Sequence, residues 1–237
     1  SGFLIPNLRY KKRFGAGVEI PYFFNLAPNY DATLTPLVTT EQGVLLKTEW
    51  RHRTRKGSYK VEGAGIYQLS PDNFDGAGDT SWRGAVRAEG EFKPREHWTY
   101  GFDGTLTSDR KFLDDYDIDD RDEAVSQVYL TNLEGRNYFS AQALHFKTLT
   151  EGEDQDQLPY ALPYIQHSYV FDTPVLGGEF GIDSSVYNLS RDDAFSPFPG
   201  VDLGTDQTRA VADMHWQRQF VTGMGHLVTP FARLRAD

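Results

Sequence analysis

Cysteine is absent from all 237 residues, which excludes a disulfide framework and a thiolate metal site and leaves the redox compartment unread. Long apolar runs are missing too. No stretch approaches the roughly 18 consecutive apolar residues of a membrane helix. Nothing at Ser1 resembles a signal peptide. Basic residues are outnumbered, 24 Lys and Arg against 34 Asp and Glu. The net charge of −10 argues against nucleic acid as a partner, since phosphate binding needs a basic face. Neither G-x-S-x-G, H-E-x-x-H nor a phosphate loop occurs, so the sequence offers no catalytic residue, metal site or cofactor site and does not read as an enzyme. Apolar residues make up only 39%, and the mean hydropathy is −0.54. Hydropathy alone would place such a chain among soluble proteins. That inference fails for a barrel strand, which shows lipid only every second side chain.

What the sequence has in quantity is alternation of period two, the pattern of a sheet with two unlike faces. Over 43–53, Val44, Leu46, Thr48 and Trp50 oppose Lys47, Glu49, Arg51 and Arg53. Over 82–93, Trp82, Gly84, Val86, Ala88, Gly90 and Phe92 oppose Arg83, Arg87, Glu89, Glu91 and Lys93. Trp98, Tyr100, Phe102 and Leu106 oppose Asp103 and three threonines, and Ala210, Ala212, Met214 and Trp216 oppose Arg209, Asp213 and His215. Alternation is poor near 124–133, 136–148, 160–171 and 226–235. The count comes to roughly thirteen strands, most about 9–12 residues long, a membrane-spanning length for a tilted strand.

Connections alternate as well. Short turns are expected near 26–29, 54–57, 93–96, 133–136, 172–175 and 221–225, and longer polar loops near 7–14, 70–80, 108–122, 149–159 and 190–206, with 40–43 a short exception. One rim of short turns and one of long loops is how outer-membrane barrels are built, with the long loops outside the cell. A soluble sandwich also alternates. Its strands run to about 5–6 residues, however, and its aromatics belong in mid-strand. Here Tyr22, Phe24, Tyr30, Trp50, Tyr59, Phe92, Trp98, Tyr100 and Phe220 gather near the short turns, as an interfacial girdle predicts. The expected fold class is therefore all-β, an antiparallel transmembrane β-barrel segment. The chain starts in one strand pattern (2–6) and stops in another (228–235), so it reads as a partial barrel domain over 1–237.

The charged alternating residues Lys47, Glu49, Arg51, Arg83, Arg87, Glu89, Asp103, Arg209 and Asp213 are expected to face a wet, polar lumen. They fit simple solvation of that interior, a path for phosphorylated sugar head groups, or a surface for a plug protein. In the acidic stretch from Asp109 to Glu123, Asp115, Asp117 and Asp119 have the spacing of calcium-loop positions one, three and five. Position six is Asp120 rather than Gly and position twelve is Ser126, so a solvated external loop is expected. His52, His97 and His215 are expected on polar strand faces.

The opening of the chain carries the most specific signal: Gly2-Phe-Leu-Ile-Pro6, the run from Gly17 through Pro21-Tyr-Phe-Phe-Asn-Leu-Ala-Pro-Asn-Tyr-Asp-Ala-Thr-Leu-Thr-Pro36, then Leu46 to Arg51 and Tyr67 to Asp72. It resembles the start of the lipopolysaccharide-assembly outer-membrane barrel family, densely over about the first 70 residues and diffusely beyond, where loops vary freely. Strand prolines are rare enough to make the agreement specific. The resemblance implies a barrel of about 26 strands, of which this chain supplies the first half, without the preceding periplasmic domain and the closing strands. It implies residence in the bacterial outer membrane, in contact with membrane lipid. Its implied partners are a lumen-plugging lipoprotein and a periplasmic bridge protein that delivers lipopolysaccharide. Lipopolysaccharide would leave sideways between first and last strands, through a lateral gate that the resemblance places at Pro6 and Pro21. Pro36 and Pro230 read as marks of strand ends or bulges. A passive porin or substrate-specific channel is the alternative, and it has no use for a weakened seam.

Overall fold

The computed structural model describes residues 1–119, 121, 123–149, 155, 158–193 and 206–237. Asp120, Asp154, Asp202 and much of the loops expected near 149–159 and 190–206 lie outside the described residues. The chain is almost wholly antiparallel β, and no helix among the described residues is long and apolar enough to cross a membrane. Among the described residues fifteen strands share one sheet, whose main path runs through thirteen of them in chain order. The strands exceed the expected thirteen because the first two long patterns are each broken in two, and because the last yields a separate hairpin.

Two compact units divide the chain. The first holds residues 1–92, 101–127 and 146–155. In it lie β1 (Gly2–Phe3), β2 (Asn7–Lys11), β3 (Gly15–Glu19), β4 (Tyr22–Ala27), β5 (Tyr30–Thr39), β6 (Gly43–Thr54), β7 (Gly57–Tyr67), most of β8 (Trp82–Arg95) and β9 (Trp98–Thr107), and the four-residue helix α1 (Phe112–Asp115). Register makes the two faces continuous across strands. Thr33, Glu49, Glu62 and Arg87 stand in one row, and Asp31, Arg51, Lys60 and Glu89 in the next. The opposite face carries Leu34, Val38, Val44, Leu46, Trp82 and Val86, all large apolar side chains left exposed. Rings follow one another along one end of that face: Phe3–Tyr22 at 4.9 Å, Tyr22–Phe24 at 4.6 Å, Tyr30–Trp50 at 5.4 Å and Tyr59–Phe92 at 6.5 Å. His52 belongs to this aromatic row, edge-on to Tyr30 and Tyr59, and not to the polar face expected for it. Its even position in β6, one step from Arg51 and Arg53, decides the matter. Gly57, which closes the turn after Thr54, has no room for a side chain, because a Cβ there would run into the Glu91 carbonyl oxygen of β8. The connection expected as a long loop near 7–14 is only Lys12–Phe14, since Asn7–Lys11 is strand.

The second unit holds 93–100, 128–145 and 156–237. It contains most of β10 (Glu123–Glu134) and β11 (Asn137–Thr148), then β12 (Tyr160–Val170), β13 (Glu179–Ser190), β14 (Asp206–Gln217) and β17 (Phe231–Ala236). β13 and β14 pair without interruption from Glu179↔Gln217 to Ser190↔Asp206. Gly135 and His97 turn their hairpins with positive φ, 59° and 65°. The strand expected over 226–235 is split. β15 (Phe220–Val221) and β16 (Leu227–Val228) form their own two-stranded sheet, and Pro230, which cannot donate to a ladder, precedes β17.

Candidate functional site

Proline placement shapes the first three strand patterns. Phe3 pairs with Tyr22, but Asn7 pairs with Glu19. Three residues of the first pattern, Leu4 to Pro6, therefore oppose only Ile20 and Pro21, which is a one-residue bulge. Pro6 ends it, directly before β2. The second pattern keeps its register against β5, Glu19↔Leu37 and Tyr22↔Leu34, although it too is interrupted at Ile20–Pro21. The Leu4 N–H donates to the Pro21 carbonyl at 2.9 Å, and the Ile20 N–H donates to the Pro36 carbonyl at 3.1 Å. Proline can return neither bond. Pro36 does not mark a strand end. It lies inside β5, in unbroken register with Leu46 of β6, and its missing donor faces the interruption between β3 and β4.

The nine charged residues expected together are all on strands, and within each unit they share the polar face. Lys47 pairs with Glu19. Arg51 reaches Asp31 at 2.8 Å and Glu49 at 3.4 Å. Arg87 joins Asp103 at 3.1 Å and Glu89 at 3.0 Å, and Lys60 adds a bond to Glu89. In the second unit Arg209 meets Asp237 at 2.6 Å and Asp213 meets Arg233 at 2.7 Å. His215 lies on this face as expected, 3.4 Å from Asp183.

Arg83 differs from the rest. Its side chain is fully buried, because the stretch expected as a solvated external loop folds down onto the polar face. Arg83 Nε donates to Asp109 at 2.9 Å, and Nη2 donates to Asp109 at 2.7 Å and to Asp115 at 2.8 Å. The guanidinium also lies over the Phe74 ring at 4.9 Å. Phe112, Leu113 and Tyr116 bring the loop down by packing with Phe14, Leu37, Leu45, Ile66 and Phe74. The Tyr116 hydroxyl donates to Gln68 at 2.7 Å, and burial raises its pKa. Asp109 is pushed up by burial, but the bonds from Arg83 and Ser108 outweigh this and hold it below the usual carboxylate range.

The calcium-like spacing has another use. Asp115 pairs with Arg83 and Arg13, Asp117 with Arg9 and Lys11, and Asp119 with Arg121, so protein cations occupy all three carboxylates. A cavity of about 400 Å³ lies between this loop and the sheet, bordered by Thr35, Lys47, Lys60, Arg87, Asp117 and Arg121. Sequence reasoning missed Arg9, Lys11, Arg13, Gln68 and Tyr116. The signal that could have found them is Leu37, Leu45 and Ile66, apolar residues at polar-face positions that need a cover.

Comparison with known proteins gives a consistent result. The model of the family LptD, "LPS transport system D", matches residues 81–237, the part in which the sequence resemblance is diffuse. The "LPS-assembly protein LptD" of Actinobacillus pleuropneumoniae serotype 7 is 28% identical over 202 residues, which cover 83% of this chain and 26% of that protein. The protein of that name from Acinetobacter baylyi is 29% identical over 203 residues, 82% of this chain and 24% of the relative. That from Chromohalobacter salexigens is 32% identical over 178 residues, 69% and 21%. The chain spans about a quarter of the length of the curated relatives it matches.

Proposed function

The chain belongs to the LptD family, and from that premise we propose that the full-length protein moves lipopolysaccharide into the outer leaflet of the bacterial outer membrane through a laterally opening β-barrel. Residues 1–237 contribute the first half of that barrel, between a periplasmic domain and the closing strands. The exposed apolar face with its row of rings meets lipid, and the charged face lines the lumen. Lipopolysaccharide, a plugging lipoprotein and a periplasmic bridge protein are the partners. The work is transport and assembly, with no covalent step and no cofactor.

The observation that carries the reading is the interrupted pairing of the first two strand patterns, a bulge at Leu4–Pro6 with a donor missing at Pro21. A hydrogen bond contributes about 0.5–1.5 kcal/mol net in water, and an unsatisfied group in lipid has no water to replace it. A seam beside such a pair opens at lower cost than its neighbours. A passive porin needs the opposite, an unbroken ladder all round.

The test is Pro6→Ala with Pro21→Ala in the complete protein. Surface lipopolysaccharide and sensitivity to large hydrophobic antibiotics are compared with the parent at matched barrel levels. The double variant is expected to tighten the seam, lower surface lipopolysaccharide and raise sensitivity. No change in either moves the gate elsewhere.

A further inference from the structure

Above the bulge, β2 is only five residues long and pairs, among the described residues, with β3 alone. A one-residue slip in register separates it from β1. So short a ladder gives little hold by itself. Cations recur at every second residue here, Arg9, Lys11 and Arg13, and all three meet the loop that follows β9. Lys11 Nζ lies 2.6 Å from the Asp117 carboxylate and donates to the Asp114 carbonyl at 2.6 Å. Arg9 donates to the Asp117 carbonyl at 3.1 Å and lies 3.7 Å from its carboxylate. Arg13 pairs with Asp115, which also receives Arg83 of β8.

We propose that residues 109–119 form an ionic latch that ties the upper part of the first strand to an anchor on β8, with Asp114 and Asp117 as positioning residues for that strand. The role in transport rests on the function proposed above, because that reading puts this strand at the seam. The latch itself is a property of these contacts.

Its two ends are built differently. At the anchor, the side chains of Arg83, Asp109 and Asp115 are 0%, 4% and 1% exposed, and the aromatic cluster packs around them. At the strand, Asp114 is 77% and Asp117 45% exposed. Exposed ion pairs are weak and screened by salt, whereas a sealed cluster is screened little and is costly to break, because a charge that loses its partner there stays desolvated. The wet end therefore releases first. The loop stays folded on β8 while β2 is freed, as a reversible catch requires.

The experiment uses the full-length protein in a detergent micelle or nanodisc. Hydrogen exchange is followed at residues 7–11, 112–118 and 57–67 at low and high salt. In the parent, exchange at 7–11 should quicken with salt. In Asp114→Asn with Asp117→Asn it should already be about tenfold faster at low salt, with little further response, while 112–118 and 57–67 stay as in the parent. Lys11→Gln removes the Lys11 contacts with Asp114 and Asp117 from the strand side, leaves the Arg9–Asp117 pair in place, and should give a smaller rise at 7–11 with 112–118 and 57–67 unchanged. Equal exchange at 7–11 in parent and variants at both salts overturns the latch. So does a rise at 112–118 in step with 7–11, which would mean that these carboxylates fold the loop and hold no strand. Exchange is read without lipopolysaccharide, so the latch can stand while the proline substitutions refute the seam, and the reverse.

Discussion

Replacing Arg83 with Met gives the sharpest test of the inward-folded loop. The substitution keeps side-chain length and apolar packing under Phe74 but removes the guanidinium that donates twice to Asp109 at the anchor. Two buried carboxylates then lose their shared partner. Removing one member of a buried ion pair costs about 3–5 kcal/mol, because the charge left behind stays desolvated. Arg13 still reaches Asp115, so the lower end, about 3 kcal/mol, is expected. That energy falls on local opening of the loop, not on the whole sheet, and corresponds to about a hundredfold change in the opening constant. The assay is hydrogen exchange at the amides inside the loop, such as Asp115 N–H to Lys111 and Ile118 N–H to Leu113, both at 2.8 Å. Adding Asp109→Asn to Arg83→Met leaves no unpaired buried carboxylate and should restore at least half of the lost protection. Acid tests the same cluster. The folded Asp109 carboxyl titrates below its ordinary value of 3.8, so its stabilising contribution is complete above that pH and is lost as pH falls through the lower folded value. A loss below tenfold in Arg83→Met, with no recovery in the double variant, would refute burial of this cluster.

Two further outcomes test the faces and the ends of the sheet. Val86 and Arg87 are neighbours on opposite faces of β8, so Val86→Arg should cost about 2–4 kcal/mol in folding into bilayers, while Arg87→Val, which loses two partly exposed ion pairs, should cost about 1 kcal/mol or less. Equal costs, measured by denaturant titration of refolded protein, would contradict the assignment of lipid and lumen faces. On intact cells an impermeant thiol reagent should label cysteine at position 114, but not at buried position 115 nor at Gly135 in its tight turn. Labelling at 135 without 114 would reverse the orientation.

The strands were legible in the sequence because their cause is local. A pleated strand sends successive side chains to opposite faces, so the patterns over 43–53 and 82–93 already contain both faces of β6 and β8. The rings gathered near the short turns, the turn at Gly57 and the rarity of strand prolines are likewise written in one dimension. Which proline takes its donor from which neighbour was not. Pro36 reads as punctuation until pairing with β3 and β4 shows Ile20 donating to it without return. His52 departs from expectation for a similar reason: its polarity suggests one face, while its parity against Arg51 fixes the other. The largest departure is the acidic loop. From composition, Asp109 to Glu123 is a solvated segment, and its hydrophobic residues Phe112, Leu113 and Tyr116 are too few to show where they go. Only the fold brings Leu37, Leu45 and Ile66 from three strands into one uncovered patch, and sets Arg83 beneath it. Alternation fixes the direction of a side chain from its immediate neighbours, but burial is a sum over residues far apart in sequence. The two faces of this sheet were therefore decided by the sequence, and the strap laid across one of them by the tertiary structure.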